Sequence, residues 1–183
     1  MRNDETVPEI DPEIDPDTKD WTWVLERPCP ECGFDAAAAD PLGVGDAVRA
    51  TLPRWSAVLT RQDVRTRPAP GVWSPLEYAA HVRDVFRVFD SRLAAMLAHD
   101  DPTFANWDQD AAAVEADYAS QDPAEVTRGL AADGEAIAAR FDAVGPQRLE
   151  RPGRRSNGSR FTVRTLGQYF LHDVVHHLHD VGA

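Results

Sequence analysis

Residues 73–98, WSPLEYAAHVRDVFRVFDSRLAAMLA, carry the clearest periodicity in the chain. Tyr78, Val82, Val85, Phe86, Phe89, Leu93 and Met96 recur at three- and four-residue steps, the spacing that lines one face of an α-helix. Ser74 can accept from a backbone N–H of the first turn, and Pro75 suits the first helical position, where a missing N–H breaks no bond. Glu77, three residues after the cap, can reach back to complete a capping box. The stretch therefore predicts a long helix running to about Ala98. His81 lies at the flank of the apolar stripe, one turn after Glu77, and by itself reads as a packed structural histidine before a ligand. His99, at the expected C-terminal end, sits where a cation favours the helix dipole.

Three further helices follow from the same pattern. Toward the C-terminus, residues 162–181 (TVRTLGQYFLHDVVHHLHDV) hold four of the six histidines and no proline, with Thr162 as the cap. His172 and His176 fall one turn apart on the same side, the spacing at which two imidazoles can share one metal ion, and His179 lies on that side too. His177 points into the stripe of Leu166, Phe170, Val174 and Val181 and reads as a packed or partner-bonded histidine. Asp173 and Asp180 read as solvent-facing or histidine-orienting. Asp122-Pro123 opens a helix to about Val144, with Val126, Leu130, Ile137 and Phe141 inward, and Gly145-Pro146 stops it. Between Leu42 and Arg65 the residues Val44, Val48, Leu52, Trp55, Val58 and Leu59 repeat helically, with Pro53 marking a kink or a late start.

The connections read as loops. Thr66 to Val72 is rich in proline and glycine, and 147–160 bears arginines. Residues 100–122 contain Phe104, Trp107 and Tyr118, which can close a pocket or cover the core, and a short helical candidate at 111–116. No segment shows strand alternation. The sum is an all-α fold, an antiparallel four-helix bundle over residues 42–183 with a long second crossover. In such a bundle the second and fourth helices share a core, so His81 can meet His172 and His176.

N-terminal to the bundle, Trp21, Trp23, Val24 and Leu25 offer apolar surface suited to docking, and residues 21–41 form a docking segment. The two cysteines, Cys29 and Cys32, stand in it as Cys-Pro-Glu-Cys-Gly, one half of a zinc knuckle, with Gly33 permitting the turn. Completing a tetrahedral site requires Asp35, a distant histidine or a second subunit. Reduced thiols capping a loop and a redox-labile pair are the alternatives. Residues 1–20 repeat Glu-Ile-Asp-Pro and carry eight carboxylates against Arg2 and Lys19, which predicts a disordered acidic tail.

Composition narrows the functions. A net charge of −12 opposes attraction to nucleic acid or anionic membranes. The N-terminus lacks the basic and apolar stretches of a signal peptide, and no apolar run reaches membrane-spanning length, so the expected location is the cytoplasm. Two cysteines exclude a secreted disulfide framework. Against the overall charge, residues 145–164 hold six arginines and one glutamate, a segment that can receive an anionic small molecule.

Trp73-Ser74-Pro75-Leu76-Glu77 followed by His81, and then Tyr169-x-x-His172-x-x-x-His176-His177, resemble the DinB-like (YfiT-type) four-helix metal-binding family over about residues 42–181. The resemblance implies a divalent metal, zinc or nickel, held by His81, His172 and His176 with a position open to water or substrate. It also implies a transferase or isomerase that uses a low-molecular-weight thiol of the mycothiol or bacillithiol kind as co-substrate for a small-molecule substrate. Arg154, Arg155 and Arg160 are then the candidates for binding acidic groups, and Cys29 and Cys32, outside the shared core, for a second metal site. Two alternatives stand beside it: a metal-dependent hydrolase with Glu77 as general base, and a non-catalytic metal- or ligand-binding stress protein. A homodimer sharing the N-terminal segment is a further expectation.

Overall fold

The computed structural model describes residues 14–16 and 19–183. The stretch expected to be a disordered tail, 1–20, lies largely outside the described residues; of its described part, Asp15 donates its backbone N–H to the Gly71 carbonyl at 3.2 Å. Five helices follow: α1 (Val44–Val58), α2 (Pro75–Ala98), α3 (Gln109–Glu115), α4 (Pro123–Asp142) and α5 (Val163–Asp180). Three short strands, β1 (Thr103–Phe104), β2 (Pro152–Arg155) and β3 (Arg160–Thr162), form a small sheet at one end. Among the described residues no helix is long and apolar enough to cross a membrane.

The helix starts are those the residue types dictate. Ser74 and Glu77 form the full capping box of α2, with Pro75 at its first position. Asp122 accepts from Ala124 and Glu125 at the start of α4, and Thr162 pairs with Thr165 at the start of α5. Pro53 lies inside α1, which ends at Val58 rather than near Arg65.

The four long helices bury their apolar stripes against one another. Each packs chiefly on two neighbours, in the order α1, α4, α2, α5 and back to α1. Consecutive helices α1 and α2 are therefore not principal partners, whereas α2 and α5 are. Phe86, Phe170, Leu93, Met96, Ile137, Leu166 and Trp55 are fully buried at the centre. Phe170 stacks on Phe141 and meets Phe86 and Phe89, so one ring from α5 touches both α2 and α4. Each such side chain contributes about 1.5–3 kcal/mol by leaving water.

The sheet departs from the purely helical reading. β2 pairs antiparallel with β3, and β1 adds to β2 in parallel, with Thr103 opposite Arg154. Strands of two to four residues carry no readable period, which is why the arginine-bearing stretch 147–160 reads as loop in the sequence.

Gly45, in the first turn of α1, marks a close approach. A Cβ there would lie 2.8 Å from the Ala138 carbonyl oxygen and 2.9 Å from Asp142 Cγ on α4. Gly45→Ala gains about 1 kcal/mol of helix propensity, but forcing the two backbones apart costs roughly 1–3 kcal/mol. The expected outcome is a lower midpoint in urea unfolding; an unchanged or higher midpoint would show that α1 and α4 separate without loss.

Candidate metal centre

Successive residues on a helix project about 100° apart, so the two one-turn pairs on α5, His172/His176 and Asp173/His177, face different partners. Asp173 and His177 face α2. Their ligating atoms and those of His81 lie within 4.8 Å of one another. Asp173 Oδ1 is 3.7 Å from His81 Nε2 and 3.6 Å from His177 Nε2. The His81 and His177 rings meet edge to face at 4.8 Å. Trp107 stacks on His81 at 5.4 Å, and Trp73 covers it from another side at 5.2 Å. His177 Nδ1 donates to Asp180 Oδ2 at 2.8 Å and its Nε2 faces Asp173.

Several buried polar atoms here lack a hydrogen-bond partner: both ring nitrogens of His81 and Oδ1 of Asp173, with Nε2 of His172 nearby. Leaving such a group unsatisfied costs about 1–3 kcal/mol. Burial pushes His81 below the ordinary histidine range, so its ring is neutral at pH 7, the form that ligates metal. Burial alone would raise the Asp173 carboxyl, but His81, His177 and His172 beside it hold it below the usual carboxylate range. The donor set is thus two imidazoles and one carboxylate, a set that fits a divalent transition metal.

His172 and His176 face the N-terminal segment. Their ligating atoms lie within 4.8 Å of those of Cys29 and Cys32. Cys29 Sγ is 3.7 Å from His176 Nδ1, and the indole of Trp21 lies over both rings at 5.5 and 5.0 Å. Burial lowers His176, and lowers His172 to about 4 with the neighbouring His176 adding to the effect. In this segment Val24 and Ala36 are fully buried, and Gln168 on α5 donates to the Ala37 and Ala39 carbonyls at 3.1 Å.

A cavity of about 340 Å³ opens above both clusters, with His172, Asp173, His176 and His177 in its floor and Trp73, Tyr78, Tyr169, Glu31 and Asp180 in its walls. His81 lies beneath the floor with no exposed surface.

The structure divides the expected triad. His81 meets Asp173 and His177, whereas His172 and His176 meet the cysteines, because the sides of α5 that face α2 and the N-terminal segment are one residue out of step. His177 is half-buried at the cluster rather than in the core stripe, and Asp173 turns inward. The signal for this pair was present: Asp173-x-x-x-His177 has the same one-turn spacing as His172-x-x-x-His176. His179 is exposed, 6.4 Å from His176 by ring centroids.

Glu77 does not line the cavity. One of its oxygens accepts the Ser74 backbone N–H at 2.8 Å, and Arg67 bonds both at 2.6 and 3.2 Å, so the general-base role expected for it has no geometric support. The arginines are likewise placed elsewhere. Arg154 pairs with Asp101, and Arg160 is exposed on β3. Arg155 alone approaches the cavity wall, its guanidinium 5.9 Å from the Tyr169 ring centroid. Arg92, which the sequence reading passed over, is 6% exposed, lies over Phe89 and Phe104 and donates to the Ala105 carbonyl. Burial, with Arg155 adding, lowers its pKa to about 10.

A helical bundle with a buried histidine–carboxylate cluster between two helices, under an open polar cavity, defines the class of protein. The sequence model of the DinB superfamily matches residues 45–181, and the chain belongs to that superfamily. Among solved structures it is similar to YfiT from Bacillus subtilis, described as "a probable metal-dependent hydrolase with an unusual four-helix bundle topology". That likeness has a TM-score of 0.65 at 20% identity and covers 78% of this chain and 83% of YfiT. No curated protein matches the chain.

The Glu77 cap has a pH signature. Burial would raise its carboxyl, but Arg67 and Ser74 together hold it below the usual range. Its stabilising contribution is complete above the unfolded-state value of about 4.3 and is lost as pH falls through the lower folded value. Glu77→Gln is expected to cost roughly 1–3 kcal/mol at pH 7 and to flatten the acid limb of a stability–pH curve. A wild-type limb as flat as the variant's would remove Glu77 as its source.

Proposed function

We propose that the chain is a divalent-metal-dependent enzyme whose ion is held by His81, Asp173 and His177, and that it acts on a small molecule in the cavity above α5. The observation that carries this reading is the set of buried donor atoms on His81 and Asp173 with no hydrogen-bond partner, beside a second imidazole. When bound, a zinc or nickel ion there would activate a coordinated nucleophile and polarise an electrophile. Three protein donors leave room for a further one from solvent or substrate.

The surrounding residues have defined parts. Asp180 fixes the tautomer and orientation of His177. Trp73 and Trp107 exclude water from His81. Tyr169 lines the cavity one turn before Asp173, and burial, with the Asp173 charge adding, raises its phenol so that it stays protonated and can donate. Arg155 lies 5.9 Å from the Tyr169 ring centroid, outside the cavity lining, and its charge would act on a substrate only through that ring. A low-molecular-weight thiol of the mycothiol or bacillithiol type, which the family resemblance implies, would be the co-substrate for a transferase or isomerase. Hydrolysis is the second reading, favoured by the likeness to YfiT, a protein described as a probable metal-dependent hydrolase.

Turnover of an electrophile panel with and without added thiol separates the two. Thiol-dependent turnover is expected, falling at least about 100-fold in His81→Ala and failing in protein stripped of metal. Thiol binding that is equally tight with and without metal would end the transferase reading, and ester cleavage without thiol would establish the hydrolase.

A further inference from the structure

The proposed chemistry leaves the cysteine pair unused, yet the fold carries it to α5. Cys29 to Phe34 form a tight turn in which Cys29 N–H donates to the Phe34 carbonyl at 2.9 Å and Gly33 N–H to the Cys29 carbonyl at 2.8 Å. Gly33 has φ +75°, in the left-handed region that other residues avoid. The turn sets both sulfurs against α5, within 4.8 Å of His172 and His176. Cys29 is 1% exposed, and Trp21 closes the far side over the two imidazoles.

We propose that Cys29, Cys32, His172 and His176 form a second, structural zinc site of the Cys₂His₂ kind, which staples the N-terminal segment to α5.

Four observations converge on it. The donor number and types are those of a closed tetrahedral zinc site, and two thiolates with two neutral imidazoles balance the charge of a divalent ion. The Cys-x-x-Cys and His-x-x-x-His spacings are those that let two donors from a turn and two from one helical turn converge. Nε2 of His172 is buried with no hydrogen-bond partner, an unsatisfied group that coordination to a cation would satisfy. His176 turns Nδ1 toward Cys29, while its Nε2 faces Glu31 Oε2 at 3.5 Å and Asp180 Oδ1 at 3.7 Å, carboxylates suited to hold the outward N–H of a ligating histidine.

Donor number and type separate this site from the His81 cluster, where three donors leave a place open. The site also has a positional effect. Its two histidines alternate along α5 with Asp173 and His177, so fixing one pair fixes the rotation of the helix that presents the other. The inference stands apart from the proposed enzymatic reaction, which uses neither cysteine.

Cobalt(II) added to the full-length chain, stripped of metal and kept reduced under anaerobic conditions, tests the assignment. The expected spectrum has thiolate-to-cobalt charge transfer in the near ultraviolet, saturating at one equivalent, and d–d bands of tetrahedral intensity. The charge transfer should be lost in Cys32→Ser and His172→Ala and keep wild-type intensity in His81→Ala. Absence of charge transfer in the wild type at saturating cobalt would overturn the site, as would its loss in His81→Ala with retention in His172→Ala. Should the cysteine variants fail to fold, the wild type still decides. Mercurial modification of its thiols in the presence of a metallochromic indicator should release one equivalent of zinc, and thiols that react fully with no zinc released, or a Cys29–Cys32 disulfide in the freshly purified chain, would refute the proposal.

Discussion

An α-helix cannot turn neighbouring residues toward the same partner, and that geometric constraint organises this protein. Within two turns of α5, His172 and His176 look one way and Asp173 and His177 look about 100° away. Burying all four requires cover on two sides. α2 supplies one, bringing His81, and the segment around Trp21 to Ala39 supplies the other, bringing Cys29 and Cys32. The order of helices round the bundle serves the same end, because with α4 between α1 and α2 the second long helix packs on α5.

Electrostatics divides between this seam and the surface. At the seam, rings and carboxylate are withdrawn from water with several atoms unsatisfied, a cost that a bound cation would offset. On the surface, Arg49 bridges α1 to Glu135 and Asp142 on α4, and Arg87 and Arg140 join α2 to α4 through Asp133 and Asp90. Exposed pairs of this kind contribute at most about 1 kcal/mol each. The basic stretch after α4 behaves similarly. Arg151 caps the carbonyls of Met96 and His99 at the end of α2, Arg154 meets Asp101 and Arg164 meets Glu150. Its charge density reads as a reception area for anions, whereas three of its six guanidiniums are taken by these neighbouring carbonyls and carboxylates.

The cavity draws its walls from elements far apart in the chain. Glu31, Trp73, Tyr169 and His177 line one space though separated by more than a hundred residues between the first and last. Arg155 reaches Tyr169 from β2, while Arg92 of α2 lies over Phe89 and Phe104.

The residues alone determined the four long helices, their caps at Ser74, Asp122 and Thr162 and the inward stripe of α2, because capping and helical periodicity are local properties of neighbouring side chains. They also placed histidines and cysteines at ligating spacings. Which donors share a centre was decided only by tertiary structure. His-x-x-x-His and Asp-x-x-x-His overlap by one residue on α5, and nothing in the linear spacing says which pair faces α2. That choice is a rotation of α5 about its own axis, set by Phe170 against Phe86, Phe89 and Phe141 and by Gln168 against the Ala37 and Ala39 carbonyls. The three strands were equally illegible, since segments of two to four residues acquire their register from the partners they meet rather than from any pattern of their own.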